Sequence, residues 1–214
     1  MHVKFEGPVG TLEGLLWEPK DQAPTAAVVV CHPHPKPPPP TQGGTMRNNV
    51  VHRAAAGFQD ANLAVLRFNF RGVGLSEGEH DGEGGENGDL VAALDFMEQR
   101  YPGLELWAAG FSFGSRTVAS VALSDDRIRR ICLIAFPVSI YDLSFANQVQ
   151  QPGMALMAEL DGFGTRERFI HELPGLASRL DVQEIEGADH FFKGLLHVVR
   201  ERIAQWARKS LQGG

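Results

Sequence analysis

The chain has 214 residues, 43% of them hydrophobic, with 20 basic and 26 acidic side chains and a net charge of −6. This length and composition predict one globular domain, spanning 1–214, with a sizeable core. The acidic balance, without a basic cluster in the sequence, argues against a nucleic-acid partner, and no apolar run is long enough to predict a membrane span.

The chain start and the cysteines bear on the cellular location. The first residues, MHVKFEGPVG, contain no apolar stretch of the kind that a secretory signal peptide needs. Cys31 and Cys132 both lie in apolar runs without metal-ligand spacing, which predicts two buried free thiols. Free thiols suit a reducing compartment, so we expect a cytoplasmic protein.

Strands and helices alternate along the chain. The segments HVKFEG and TLEGLLWEP flank the turn GPVG and predict an opening antiparallel hairpin. Apolar runs that predict strands follow at 26–32, 63–70, 104–110, 130–137, 153–160 and 181–187. Helical spacing of apolar residues occurs at 46–62, 89–100, 114–124 and 192–211. This order predicts an α/β fold with a mainly parallel sheet, helices on both faces and, because only 139–152 offers room for an insertion, no large cap domain.

A sharp turn is predicted where LELWAAGFSFGS passes from a strand into a helix. Residues 110–114 match G-x-S-x-G in the strand–turn–helix context that gives this motif its meaning. Such a turn strains the serine backbone and projects its hydroxyl above the C-terminal edge of the sheet. Glycines at 110 and 114 would let strand and helix approach closely. Ser112 is therefore the candidate nucleophile.

A nucleophilic serine needs a base, and the base needs a carboxylate that orients it. In this arrangement the acid and then the histidine follow the serine along the chain. Asp161 comes just past the strand predicted at 153–160, and His190 lies in the loop before the last helix. Because the C-terminal ends of parallel strands meet at one sheet edge, we expect Ser112, Asp161 and His190 to converge.

Other carboxylates and histidines have weaker claims. Glu159 competes with Asp161 but falls within the predicted strand, where its side chain is less free to meet His190. Asp189 is more typical of a turn or cap group that orients the loop of His190. His80, in a glycine-rich loop, is interpreted as a solvated or packing histidine. The start of that loop, RGVGLSEG, lacks the dinucleotide fingerprint, and GFSFGS lacks the lysine of a phosphate-binding loop, so neither predicts a nucleotide site.

Five stretches occur in the order CHPHP, GGTMRNNVVHRAA, LAVLRFNFRGVGLSEG, GFSFGS and GADHFF. With them the chain resembles the α/β-hydrolases, and more closely the small capless bacterial serine hydrolases related to dienelactone hydrolase, over nearly its whole length. The resemblance implies an α/β-hydrolase fold and assigns Ser112, Asp161 and His190 as nucleophile, orienting acid and base. It also implies two backbone N–H donors for an oxyanion, one in the loop after the first buried strand and one at Phe113, which follows the serine.

The proline-rich loop HPHPKPPPPTQGG, residues 32–44, contains the first of these donors. Proline has no N–H, so within Pro33-His34-Pro35 only His34 can donate, and we expect its N–H to act beside that of Phe113. The prolines at 37–40 predict a stiff rim resembling polyproline II, with a docking motif for SH3-type partners as the alternative.

Together these patterns predict a serine hydrolase, best interpreted as a carboxylesterase that cleaves small short-chain esters through an acyl-enzyme. The hypothesis needs a small-molecule ester as partner and no metal or organic cofactor. A thioesterase, a lactonase or an amide hydrolase stays open, since the same residues serve every acyl transfer. A non-catalytic binding module on the same scaffold is the further alternative, and the ordered Ser112, Asp161 and His190 argue against it. Monomer and homodimer stay equally open.

Overall fold

The computed structural model describes residues 1–36, 43–80 and 84–213. The prolines at 37–40, with their predicted rim, lie outside these ranges. Within them eight strands form one sheet: β1 (His2–Gly7), β2 (Gly10–Trp17), β3 (Ala26–Cys31), β4 (Leu63–Phe68), β5 (Glu105–Phe111), β6 (Ile128–Ile134), β7 (Gly153–Ala158) and β8 (Leu180–Ile185). Their order across the sheet is β1-β2-β4-β3-β5-β6-β7-β8.

The sheet is antiparallel at its first edge and parallel elsewhere. β1 and β2 form the predicted hairpin, with Gly7 opposite Gly10. β2 is also antiparallel to β4, and every pairing from β4 through β3 to β8 is parallel. The C-terminal ends of six parallel strands, β3–β8, therefore share one edge, as the sequence pattern predicted.

Helices cover both faces of the sheet, which confirms the predicted layering. In the described residues they are α1 (Asn49–Asp60), α2 (Glu86–Arg100), α3 (Phe113–Ala122), α4 (Arg166–Glu172), α5 (Pro174–Ala177) and α6 (Leu196–Gln212). α1 and α6 pack against each other on one face, and the buried residues of α2–α5 join the core of the other.

The helices on the first face follow from the spacing of their apolar residues. Val50 and Phe58 lie on the buried side of α1, and the side chain of Asn48 caps this helix by accepting the Val50 N–H at 2.9 Å. Ile203 and Trp206 lie on the buried side of α6, with the Trp206 ring 6.3 Å from that of Phe58. Burial of each large apolar side chain contributes about 1.5–3 kcal/mol, which holds both helices on the sheet.

The short helices α4 and α5 were not predicted. Parallel strands such as β7 and β8 need a crossover connection, and these two helices provide it. α4 has seven residues and only Phe169 buried, so it offers no apolar period to detect. The usable signals were local: Thr165 caps α4 by accepting the Arg168 N–H, and Pro174 stands at the start of α5.

The connection between β6 and β7 spans residues 135–152 and contains a single 3₁₀ turn, Ser144–Gln148. This is the segment in which the sequence allowed an insertion, and it is too short to form a cap domain. The C-terminal edge of the sheet is therefore not covered by an added domain within the described chain.

Two further observations concern buried thiols and membrane insertion. Cys31 and Cys132 are both free and buried, as predicted, and burial raises the pKa of each thiol. Across the described ranges, the helices are all too short or too polar to cross a bilayer.

Candidate active site

Ser112 occupies the predicted turn between β5 and α3. Its backbone has φ 54° and ψ −117°, a conformation that costs a non-glycine residue free energy and is found mainly at functional sites. A Cβ on Gly110 would lie 2.2 Å from the carbonyl carbon of Gly114, and a Cβ on Gly114 would lie 2.6 Å from the Cys31 oxygen. Glycines are therefore required at both positions for strand and helix to approach, as the motif predicted.

The structure brings together the three residues that the sequence selected. The Nε2 atom of His190 lies 3.0 Å from the Oγ of Ser112, and its Nδ1 lies 2.8 Å from an Oδ of Asp161. All three residues are buried. With the proton on Nδ1, the imidazole donates to the carboxylate and accepts the serine hydroxyl proton on its other nitrogen.

The competing carboxylates have other contacts. β7 ends at Ala158, so the prediction that Glu159 lies within the strand is wrong: it stands in the following turn and accepts the Gly187 N–H at 2.8 Å. Asp189 accepts two backbone N–H groups of its own loop, from Phe191 and Lys193, each at 3.0 Å. Asp189 therefore shapes the loop of His190, in keeping with its interpretation as a turn or cap group.

Three phenylalanine rings surround the imidazole of His190, and the sequence analysis selected none of them for this. The ring centroids of Phe111, Phe163 and Phe191 lie 5.1, 4.6 and 5.1 Å from the imidazole centroid. Phe111 is buried at the end of β5, whereas Phe163 is 41% and Phe191 44% exposed. A signal was present in GADHFF and DGFG, where an aromatic residue follows each candidate site residue within two positions.

The two residues expected to supply the oxyanion donors are in contact through their side chains. The rings of His34 and Phe113 are in edge contact, 5.2 Å between centroids. Phe113 is the first residue of α3, so its N–H has no acceptor within the helix. Neither this N–H nor that of His34 has an acceptor among the residues that the structure describes.

Histidine 32 fixes the loop that carries His34. Its Nδ1 donates to the carbonyl of the next residue, Pro33, at 2.7 Å, and its Nε2 accepts the Phe70 N–H at 3.1 Å. Both contacts require the neutral imidazole with its proton on Nδ1. Complete burial lowers the pKa of His32 to about 4, which keeps that form at neutral pH. The loop is tied further by the Gly44 N–H, which donates to the His34 carbonyl at 2.8 Å.

A second histidine lies beside this loop: His80, interpreted from the sequence as solvated or packing, is a packing residue. The His80 side chain is almost fully buried, its ring is 4.9 Å from that of His34, and its Nδ1 bonds to the buried carboxylate of Glu86. Burial, and after it the proximity of His80, lowers the pKa of His34. Because His34 is far from His80 and Glu86 in the chain, no spacing rule would have placed it in this cluster.

The site offers no evident place for a metal ion. Among residues 1–36, 43–80 and 84–213, histidine, cysteine and carboxylate side chains form no group of three or more with the proximity that a metal requires. The groups available for chemistry at the C-terminal edge of the sheet are a buried hydroxyl, an imidazole and a carboxylate, each in contact with the next.

Comparison with known proteins identifies the family of this chain. The model of the family described as the alpha/beta hydrolase fold matches residues 28–176. An uncharacterized protein of Rickettsia prowazekii (strain Madrid E) is 34% identical over 201 residues, covering 89% of this chain and 82% of that protein.

Two solved structures are similar over almost their whole length. An alpha-beta serine hydrolase homologue from Coxiella burnetii has a TM-score of 0.86 and 33% identity, covering 96% of each chain. An α/β serine hydrolase without a lid from Xanthomonas campestris has a TM-score of 0.88 and 30% identity, covering 100% of this chain and 96% of the other. These relatives support a hydrolase, and the match of the family model over residues 28–176 shows that the chain belongs to the α/β hydrolase fold family.

Proposed function

We propose that this protein is a serine hydrolase that cleaves small carboxylic esters through an acyl-enzyme on Ser112. The observation that carries the proposal is the continuous contact from the Asp161 carboxylate through the His190 imidazole to the Ser112 hydroxyl, at 2.8 and 3.0 Å. A buried serine in a strained turn, in contact with an oriented base, is the arrangement that activates a hydroxyl for nucleophilic attack.

In the proposed first half-reaction, the Ser112 Oγ attacks the ester carbonyl carbon while its proton passes to Nε2 of His190. The carbonyl oxygen becomes an oxyanion, which the N–H groups of Phe113 and His34 would stabilise in a site shielded from bulk water. The tetrahedral intermediate then collapses, and the alcohol leaves with the proton from Nε2. Asp161 keeps the Nδ1 proton in place and stabilises the imidazolium that forms in between.

The second half-reaction repeats these steps with water as the nucleophile. His190 removes a proton from the water as it attacks the acyl carbonyl, and returns that proton to the Ser112 oxygen as the acid leaves. The products are one carboxylic acid and one alcohol, and the enzyme is restored. Every proton moves through Nε2, so no additional acid or base is needed.

Small esters are the proposed substrates because the segment between β6 and β7 provides no lid. A lid would add apolar surface for a long acyl chain, whose burial is worth about 0.8 kcal/mol per CH₂ group. Thioesters, lactones and amides use the same two half-reactions, and we place them second because the triad serves every acyl transfer and favours none of them specifically.

Labelling with a fluorophosphonate probe tests the nucleophile directly. Wild-type protein should become labelled and should hydrolyse p-nitrophenyl acetate, and Ser112→Ala should do neither while keeping its thermal melting temperature. Ser124→Ala, in the exposed turn two residues after the end of the same helix, is the matched control and should behave as wild type. Labelling that persists in folded Ser112→Ala would exclude the proposed nucleophile. A parallel screen of acyl-CoA and lactone substrates would rank the other acyl groups.

A further inference from the structure

The rings around His190 include two phenylalanines that no packing requirement explains. Phe163 and Phe191 stand in different loops, after β7 and after β8, and both expose more than two fifths of their surface. Exposed rings bury little apolar area and so contribute little to folding. Both rings nevertheless meet the same imidazole edge-on, at interplanar angles of 83° and 85°.

We propose that Phe163 and Phe191 are positioning residues that hold the His190 ring in line with both Asp161 and Ser112, and that shield it from water where other enzymes use a lid. This inference rests on the proposed function of His190 as the base. Phenylalanine has no hydrogen-bonding group, so the two rings restrict the imidazole without competing for either nitrogen. Phe111 closes the buried side of the ring, with an interplanar angle of 34°.

Phe163 links the imidazole to its carboxylate partner. Its backbone N–H donates to the second carboxylate oxygen of Asp161 at 2.8 Å, which leaves the first oxygen for Nδ1 of His190. Its carbonyl accepts the Ser139 N–H at 2.8 Å, which ties this turn to the segment after β6. The backbone thus fixes where the ring stands, and a side-chain substitution removes the ring while keeping both backbone contacts.

Phe191 acts from the other side of the imidazole. Its N–H donates to Asp189, which fixes the turn, and its ring contacts that of Phe111 at 6.1 Å between centroids. An imidazole bounded by rings on several sides has few orientations open to it. A loss of about 1 Å in the placement of a reacting group can lower a rate about a hundredfold, so such restriction has a large kinetic effect.

The test compares kcat and KM on p-nitrophenyl acetate, a substrate too small to need an extended binding surface. Phe163→Ala and Phe191→Ala should each lower kcat about ten- to a hundredfold while KM changes by less than about threefold. Phe163→Tyr and Phe191→Tyr keep the ring and should restore most of kcat. Leu160→Ala removes an exposed apolar side chain next to Asp161 without touching the imidazole, and it should behave as wild type.

The outcomes separate this inference from the proposed function. If wild type neither hydrolyses esters nor reacts with a fluorophosphonate, the proposed function itself fails. If wild type does both and the alanine variants keep kcat within about twofold, only the positioning role fails. A rise in KM at constant kcat, or an equal loss in Leu160→Ala, would also overturn it. If Phe163→Ala or Phe191→Ala melts at a lower temperature, Phe163→Leu or Phe191→Leu takes its place. Leucine keeps the apolar volume without a ring, so the same loss of kcat is expected.

Discussion

Protonation of His32 is expected to destabilise the protein as the pH falls below neutral. The imidazole is completely buried, and burial lowers its pKa from an ordinary 6.5 to about 4. In the unfolded chain the side chain gains its proton near pH 6.5, whereas in the folded protein it stays neutral until about pH 4. Between these values the unfolded state binds more protons, so the free energy of unfolding must fall as the pH falls.

The size of the effect follows from the two pKa values. Each unit of difference corresponds to about 1.36 kcal/mol, so the full loss below pH 4 is on the order of 3 kcal/mol. Between pH 7.5 and 5.5 the same relation gives a loss of about 1.4 kcal/mol from this single group. Small domains are stable by only about 5–15 kcal/mol, so a loss of this size is measurable.

Urea unfolding at pH 7.5 and 5.5, followed by the fluorescence of the three tryptophans, measures this loss. Other buried groups contribute to the pH dependence of wild type, so the informative quantity is the difference from His32→Gln. Glutamine does not titrate and can both donate and accept a hydrogen bond in this position. The drop in wild type should exceed that in His32→Gln by about 1 kcal/mol, even where the variant is less stable at both pH values.

His171→Gln is the matched control, because it makes the same change of side chain at an exposed position near the end of α4. An equal drop in wild type and in His32→Gln would refute the reasoning, since it would mean that the buried imidazole does not resist protonation. His32→Asn, with the shorter amide, repeats the comparison if the glutamine variant does not fold.

Substitutions in the rest of the site and a change of substrate give three more expectations. Asp161→Asn should lower kcat by about 10⁴, as expected on loss of a triad acid, whereas Glu159→Gln should have little effect; the reverse ranking would exchange the two roles. His34→Ala should keep most activity, and His34→Pro should lower kcat about 10²–10³ at nearly constant KM, with thermal melts to check folding. Esters with C2–C6 acyl chains should react faster than those with C12 or longer chains, and a long-chain optimum or activation at a lipid interface would contradict this.

Local patterns were enough to predict most of the fold. Strands at 26–32 and 63–70 were readable because apolar β-branched runs differ from their surroundings, and the turn at Ser112 because glycine is the only residue that fits beside it. The connection between β7 and β8 was missed because its helices are shorter than the window in which an apolar period can be recognised. Glu159 was misplaced for a related reason: apolar Leu160 extends the strand pattern into the turn.

The surroundings of the site could not be predicted, because they depend on contacts between segments far apart in the chain. His80 meets His34 across 46 positions of the chain, because the residues that follow β3 and those that follow β4 lie at the same edge of the sheet. A single histidine in a polar, glycine-rich stretch carries no sign of such burial. The rings of Phe163 and Phe191 likewise converge on one imidazole from two loops, which the pairing of β7 with β8 brings together.

The contacts of the loop after β3 bear on why prolines flank His34. Pro33 and Pro35 have no N–H to offer, and the Lys36 N–H donates to Nδ1 of His34. From 33 to 36, a segment that the structure describes in full, His34 therefore has the one backbone N–H without an acceptor among the described residues. The carbonyls before and after this N–H both accept hydrogen bonds. The Pro33 carbonyl accepts from Nδ1 of His32, and the His34 carbonyl accepts from the Gly44 N–H. A rigid loop with a single remaining donor favours an oxyanion contact, and equal losses in His34→Ala and His34→Pro would instead indicate that the imidazole is the functional group.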